Sequence, residues 1–200
     1  MRVEITNGEN KHLLAGENSD DPAVIGRLTL PFDVGDAGFL QVGLNALSGY
    51  NDAEGEYLTH AYALDLLFRW RPPSEGLYRS IVAQLEFYYA DKERPTTAET
   101  THPEGGFCFV QFQVGRRWFV GARVEFGESV EDDRASFWGA AVYLSYYTTH
   151  FLRMRVGVEH YEDFRDASGG TRFEGKRNSV FVQVTFIFGA HPPHPYWVVQ

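Results

Sequence analysis

Along most of this chain, large apolar residues fall on every second position and polar or small residues fill the gaps. The closing stretch SVFVQVTFIFGAHPPHPYW (Ser179–Trp197) places Val180, Val182, Val184, Phe186 and Phe188 on one side and Gln183, Thr185 and Gly189 on the other. A period of two marks a β-strand with unlike faces. Val24–Phe32, Phe39–Tyr50, Ala61–Arg71, Leu77–Tyr89, Phe107–Val114, Phe119–Gly127, Phe137–Tyr147 and Leu152–Tyr161 read the same way. Ser179 opens a ninth strand, and Arg2–Asn7 adds a tenth at the front. The polar face of the series carries Arg27, Arg69, Arg123, Arg153, Arg155, Asp65, Glu86, Glu125 and Glu159.

The connections alternate in length. DVGDAG, PPSEG, GRRW and TTHF are short; GENKHLLAGENSDDP, NDAEGEY, DKERPTTAETTHPEGG, ESVEDDR and EDFRDASGGTRFEGKR are long or acidic. An antiparallel up-and-down sheet with two different ends produces this, and transmembrane barrels pair short periplasmic turns with long external loops. Most of these strands run about 9–13 residues, near the roughly 9–11 that a tilted membrane strand needs. Aromatic pairs gather at strand ends: Phe68 and Trp70, Tyr88 and Tyr89, Trp118 and Phe119, Tyr146 and Tyr147, Tyr196 and Trp197. Amphipathic rings prefer the boundary between lipid and water. The expected fold is therefore all-β, an antiparallel up-and-down transmembrane β-barrel of about ten strands, or the C-terminal part of a larger one. Residues 1–200 form one barrel domain, with 190–200 as a periplasmic tail. Alternation alone does not fix which face points inward, so a soluble lipocalin-like barrel holding apolar ligands stays open.

Composition narrows the field. Aromatics make up 16% of 200 residues and Gly numbers 20, which favours strands and tight approaches over helices. The formal charge is −9, and only 3 of 18 basic residues are Lys. An acidic chain without a basic stripe is a poor partner for nucleic acid. Cys108 is the single cysteine, so neither an internal disulfide nor a cysteine-rich zinc site is available. Ala135–Leu152 lacks Asp, Glu, Lys and Arg, but its Ser, Tyr, Thr and His content fits a strand pair better than a spanning helix. The opening MRVEITNGEN lacks a signal-peptide pattern, so the expectation is a removed signal or a start inside a longer product.

Several stretches resemble a family of porin-like Gram-negative outer-membrane barrels, some described as phosphate-selective-porin-like and others as zinc-regulated outer-membrane receptors. They are EITNGEN, GENSDDPAVIGRL, FRWRPPSEGLYRS, FLRMRVGVEH and QVTFIFGAHPPHPY, which closes on a Gly-x-His-x-x-His-x-aromatic motif. The resemblance implies a bacterial outer-membrane location, with the lipid bilayer and lipopolysaccharide as surroundings. It implies a porin-like passage for small polar solutes or ions, and homo-oligomers where such barrels are wide. Members of that family have more strands than this chain.

The charged polar face is the candidate lumen. Arginines there can select anions, or Arg–carboxylate pairs can hold a narrow barrel shut. A closed structural or adhesive barrel is thus the main alternative. His191 and His194 are the candidate divalent-metal ligands, but Pro192, Pro193 and Pro195 keep them off a shared helical face, and two ligands fall short of the usual three or four. No other cofactor is expected. The acidic VEDD and ENSDD segments read as solvated loops. Ser145 and His150 lie near one turn without Gly-x-Ser-x-Gly or a nucleophile-and-base pattern, so no enzymatic activity is expected.

Overall fold

The computed structural model describes residues 1–6, 9–10, 13–15, 22–94, 99–130, 134–149, 151–167 and 170–186. It is all-β, with strands β1 (Arg2–Thr6), β2 (Glu9–Asn10), β3 (Leu14–Ala15), β4 (Ala23–Val34), β5 (Gly38–Tyr50), β6 (Leu58–Trp70) and β7 (Ser80–Glu93). They are followed by β8 (Thr100–Thr101), β9 (Glu104–Gln113), β10 (Trp118–Glu128), β11 (Ala135–Thr149), β12 (Leu152–Ala167) and β13 (Gly170–Phe186). One antiparallel sheet runs β1-β4-β5-β6-β7-β9-β10-β11-β12-β13, with β8 extending the side of β7 and β2-β3 forming a separate small hairpin. Neighbours in sequence are neighbours in space, the up-and-down order that the alternating pattern predicts. The sheet is not closed: β1 and β13 stand at its two ends and are not paired with each other.

The ten strands anticipated from the pattern are the ten on this path, but two boundaries differ. Residues 162–167 and 170–178, expected as part of a long loop, are strand. β12 continues to Ala167 and β13 already begins at Gly170, and the two pair as one long hairpin as far as Ala167 and Gly170. A register shift between Asp163 and Phe164 marks a bulge in it, which bends such a ribbon. Conversely, Leu77, Tyr78 and Arg79 belong to a turn, because β7 starts at Ser80. Pro72 and Pro73 have no N–H to continue the ladder. The amides of Tyr78 and Arg79 donate to the Glu75 carbonyl, and Arg71 Nε donates to the Gly76 carbonyl at 2.8 Å. Arg71–Arg79 is thus longer than Asn51–Tyr57 on the opposite rim, and the strict short-long alternation does not hold there. The stretch considered as a membrane helix is β11 and the start of β12; no helix among the described residues is long and apolar enough to cross a membrane.

The pleat separates the faces cleanly. Val24, Leu44, Val124, Val142, Val156 and Val158 all lie exposed on one face, and Val180 and Val182 are each 75% exposed. The other face is crowded: Phe119, Gln111, Tyr143 and Arg153 are buried, and Ser145 is 0% exposed. Such asymmetry follows when a sheet curls toward one side. Adjacent aromatics must therefore point in opposite directions. Trp118 and Tyr146 pair on the exposed face with ring centroids 4.6 Å apart. Their sequence neighbours Phe119 and Tyr147 pack edge-on at 5.1 Å on the crowded one. Tyr88 also faces inward, opposite Ala63 and Gly105. The expected belt is thus thinner: Phe68 and Trp70, two positions apart, stay together on the apolar side, but each adjacent pair leaves only one ring there. Tyr196 and Trp197 lie outside the described residues.

Glycines on the inner face seat the rings. Gly121, Gly139 and Gly157 are opposite Tyr143, Tyr161 and Phe181 in the ladders, and each aromatic lies across its glycine. A Cβ on Gly121 would come within 2.2 Å of the Tyr143 ring. Three successive strand pairs repeat this device, which lets backbone and ring approach closely where the sheet bends.

Gly121→Val is expected to lower stability by about 1–3 kcal/mol, because no room exists for its side chain. Gly26→Ala, where a Cβ meets nothing within 4 Å, should cost nothing. Urea unfolding of the refolded protein, followed by intrinsic fluorescence, measures both; equal midpoints for the two variants would contradict the seating role of Gly121.

Candidate functional site

All nine charged residues picked out as lumen candidates lie on the crowded inner face. Ladder register fixes their heights. Asp65 is opposite Glu86, Glu86 opposite Phe107, and Phe107 opposite Glu125, so three carboxylates share one row across β6, β7 and β10. Like charges placed side by side repel, and each carboxylate turns to a different partner.

Asp65 leans across β5. Its carboxylate accepts from Arg27 Nη2 at 3.2 Å and from Asn45 Nδ2 at 2.9 Å, while Arg27 Nη1 donates to Asn45 Oδ1 at 3.1 Å. The three side chains come from β4, β5 and β6. Gly43 permits this arrangement: a Cβ there would lie 2.0 Å from Asp65 Oδ2. Glu86 turns along its own strand, accepting from Gln84 Nε2 at 2.7 Å and from the Tyr88 hydroxyl. Glu125 accepts from Arg123 and from the Tyr161 hydroxyl. The Arg123 guanidinium also stands 5.1 Å from the Phe107 ring centroid. Glu159 is opposite Ala141, which is in turn opposite Arg123.

The other half of the face, toward the turns at Arg71–Arg79 and Gly115–Arg117, holds arginine. Arg155 donates from Nε to Ser145 Oγ at 3.0 Å, and its guanidinium lies 3.9 Å from the Tyr143 ring centroid. Tyr143 stacks on Phe109 at 6.2 Å and donates its hydroxyl to Gln111 at 3.2 Å. A cation on the face of a ring gains about 1–2 kcal/mol when partly desolvated. Arg153 is only 6% exposed and donates from Nη2 to Thr185 at 3.1 Å and to Gln183 at 3.5 Å. Arg69 is opposite Phe39 and Val82, and its Nε is buried without a hydrogen-bond partner. The inner face is thus polarised, with Arg69, Arg153 and Arg155 at one end and the Asp65–Glu86–Glu125 row further toward the other.

The division into an arginine end and a carboxylate row was not visible in the sequence, which gave faces but not heights. Register depends on where each turn closes, and Leu77–Arg79 mimicked strand. Ser145 takes part in the arginine packing, its hydroxyl oxygen accepting from Arg155. His150, His191 and His194 lie outside the described residues, as do ENSDD and most of VEDD. Among the described residues no group of three or more His, Cys, Asp or Glu side chains is placed to hold a metal ion. Cys108 is exposed on the apolar face, opposite Leu85 and Val124.

No protein-family model matches this chain, and neither the curated proteins nor the solved structures compared with it give a match.

Removing the Asp65 carboxylate strands both Arg27 and Asn45. Asp65→Ala should cost about 1–3 kcal/mol, the usual penalty for orphaned polar partners. Gly43→Ala should reproduce much of that loss without touching a charge. A double-mutant cycle with Arg27→Ala should return a coupling energy of about 0.5–3 kcal/mol. Strict additivity would contradict the Arg27–Asp65 contact.

Proposed function

We propose that this chain is an outer-membrane β-barrel wall of a porin-like protein, lining a passage for small polar solutes or ions. The observation that carries the reading is the exposed apolar face. It is continuous from Val24 on β4 to Val180, Val182 and Phe186 on β13, with a polar, charged face behind it. Soluble monomers rarely expose apolar patches beyond a few hundred Å². In lipid the same surface is the expected outside of a barrel, and the charged face is the expected lumen. The length of β5, β6, β10 and β11 suits a tilted crossing, and Trp70, Trp118 and Tyr146 ring the short-turn end of the apolar face. The likeness of FRWRPPSEGLYRS and the C-terminal motif to porin-like barrels points the same way. Lipid and lipopolysaccharide are then the surroundings of the apolar face and long loops.

The passage would be lined by Arg69, Arg123, Arg153 and Arg155 with Asp65, Glu86, Glu125 and Glu159 between them. Rings of side-chain charge set ion preference in pores. A second reading, a structural barrel with a filled lumen, draws on the packing of Arg155 over Tyr143 and the burial of Arg153. A soluble binder of apolar ligands would need the apolar face inside, which conflicts with the exposure pattern.

Reconstitution into planar bilayers with a salt gradient tests the proposal. Discrete conductance steps with a measurable reversal potential are expected, and Arg155→Gln should move that potential toward cation preference. A chain that inserts without conducting would contradict the passage and favour the filled barrel. Independently, Val156→Arg should cost about 2–4 kcal/mol in lipid, the penalty for a cation near the bilayer midplane; an unchanged unfolding midpoint in liposomes would contradict the lipid-facing assignment.

A further inference from the structure

Rings such as Phe109, Tyr143, Tyr161 and Phe181 occupy much of the inner face between β9 and β13, but at the long-loop end of β6, β7 and β9 small residues surround the single ring of Tyr88. Ala61, Ala63, Ala90 and Gly105 leave a hollow of about 310 Å³. Its walls are predominantly apolar, with Ile25 and Leu47 on one side and Val130 on another. From the chain before β4, Leu13 adds to the lining, while Leu14 is buried against Ala23 and Gly49. Toward the middle of the sheet lie Asn45 and Tyr88, both already hydrogen-bonded, to Asp65 and Glu86. A hollow of this volume and lining is in the range of small-molecule sites. None of its lining residues is a cation. Glu104 and Glu128 border it at the long-loop end, where a Glu128 carboxylate oxygen accepts from the Glu104 amide at 3.2 Å.

We infer that this hollow binds a compact apolar molecule of one or two rings that carries no negative charge. The small residues supply the space, the aliphatic walls supply the affinity, and the lining offers an anion no cation to offset its desolvation. The inference goes beyond passage of ions: it gives the mouth of the inner face a ligand preference that conduction does not require. It rests on the membrane reading only in that the protein is handled as a refolded barrel.

The test is a titration of the ¹⁵N-labelled, refolded full chain in micelles with indole, followed by amide chemical shifts. Saturable shifts confined to Ala61, Ala63, Ala90, Gly105 and their neighbours are expected. Ala63→Trp, which fills the hollow, should abolish them, and the milder Ala61→Leu should weaken binding at least fivefold with the β-sheet circular dichroism unchanged. Benzyl alcohol should bind at least tenfold more tightly than benzoate at pH 7. Shifts that grow linearly without saturating, that survive both filled variants, or that centre on Val124, Val142 and Val156 would overturn the site, because they report partition into detergent or onto the outer face. Binding without conductance would leave this site standing and remove the pore; conductance without saturable binding would do the reverse.

Discussion

The pleat is the constraint on which everything else depends. In a long antiparallel strand each residue belongs to one of two faces, and a slip of one position would exchange them. From β4 to β13 the exposed apolar residues keep to one parity within each strand, and the ladders join those parities from strand to strand up to the bulge at Asp163 and Phe164. One consequence is a continuous exposed apolar surface. The other is that all nine charged candidates arrive on the same side, close enough to require partners. The Arg27–Asn45–Asp65 triangle ties β4 to β6, the Arg123–Glu125–Tyr161 contact ties β10 to β12, and the Arg155–Tyr143 stack ties β12 to β11. They help to pin the register that brought them together.

Volume on the inner face is distributed unevenly. Between β9 and β13, glycines lie beneath Tyr143, Tyr161 and Phe181, so the rings fill the space and the arginines rest on or beside them. At the long-loop end of β6 and β7 the chain uses Ala where it elsewhere uses a ring. The same sheet therefore offers a packed arginine end, a row of carboxylates and a small apolar hollow, in that order along the strands. Ion preference and ligand preference would then be set by different rows of one face.

Much of this was legible before any coordinates. The ten strands and the sorting of all nine lumen candidates onto one face follow from parity alone. What was not legible has identifiable causes. Residues 162–167 and 170–178 lack apolar alternation; their strand character comes from ladder pairing, supported by Arg165–Glu174 and by Arg177 over the Tyr161 ring. Leu77 and Tyr78 keep the alternation but follow two prolines, and the turn overrules the pattern. Adjacent aromatics such as Tyr88 and Tyr89 suggest a belt pair, but the pleat splits them and turns Tyr88, Phe119 and Tyr147 inward. The shared row of Asp65, Glu86 and Glu125 needed the turn geometries, which the sequence does not specify at Arg71–Arg79.

If the sheet is a barrel wall, the even positions of β12 meet lipid and the odd positions meet a water-accessible or protein-packed interior. Nitroxide labels placed singly at residues 153–158, on a Cys108→Ser background in liposomes, test it most directly. Collision rates with oxygen, which concentrates in lipid, should peak at 154, 156 and 158 and fall at 153, 155 and 157. Collision with a water-soluble nickel chelate should show no peak at the even positions. The inverse phase, or no period of two at all, would contradict the assignment of faces and with it the membrane-barrel reading.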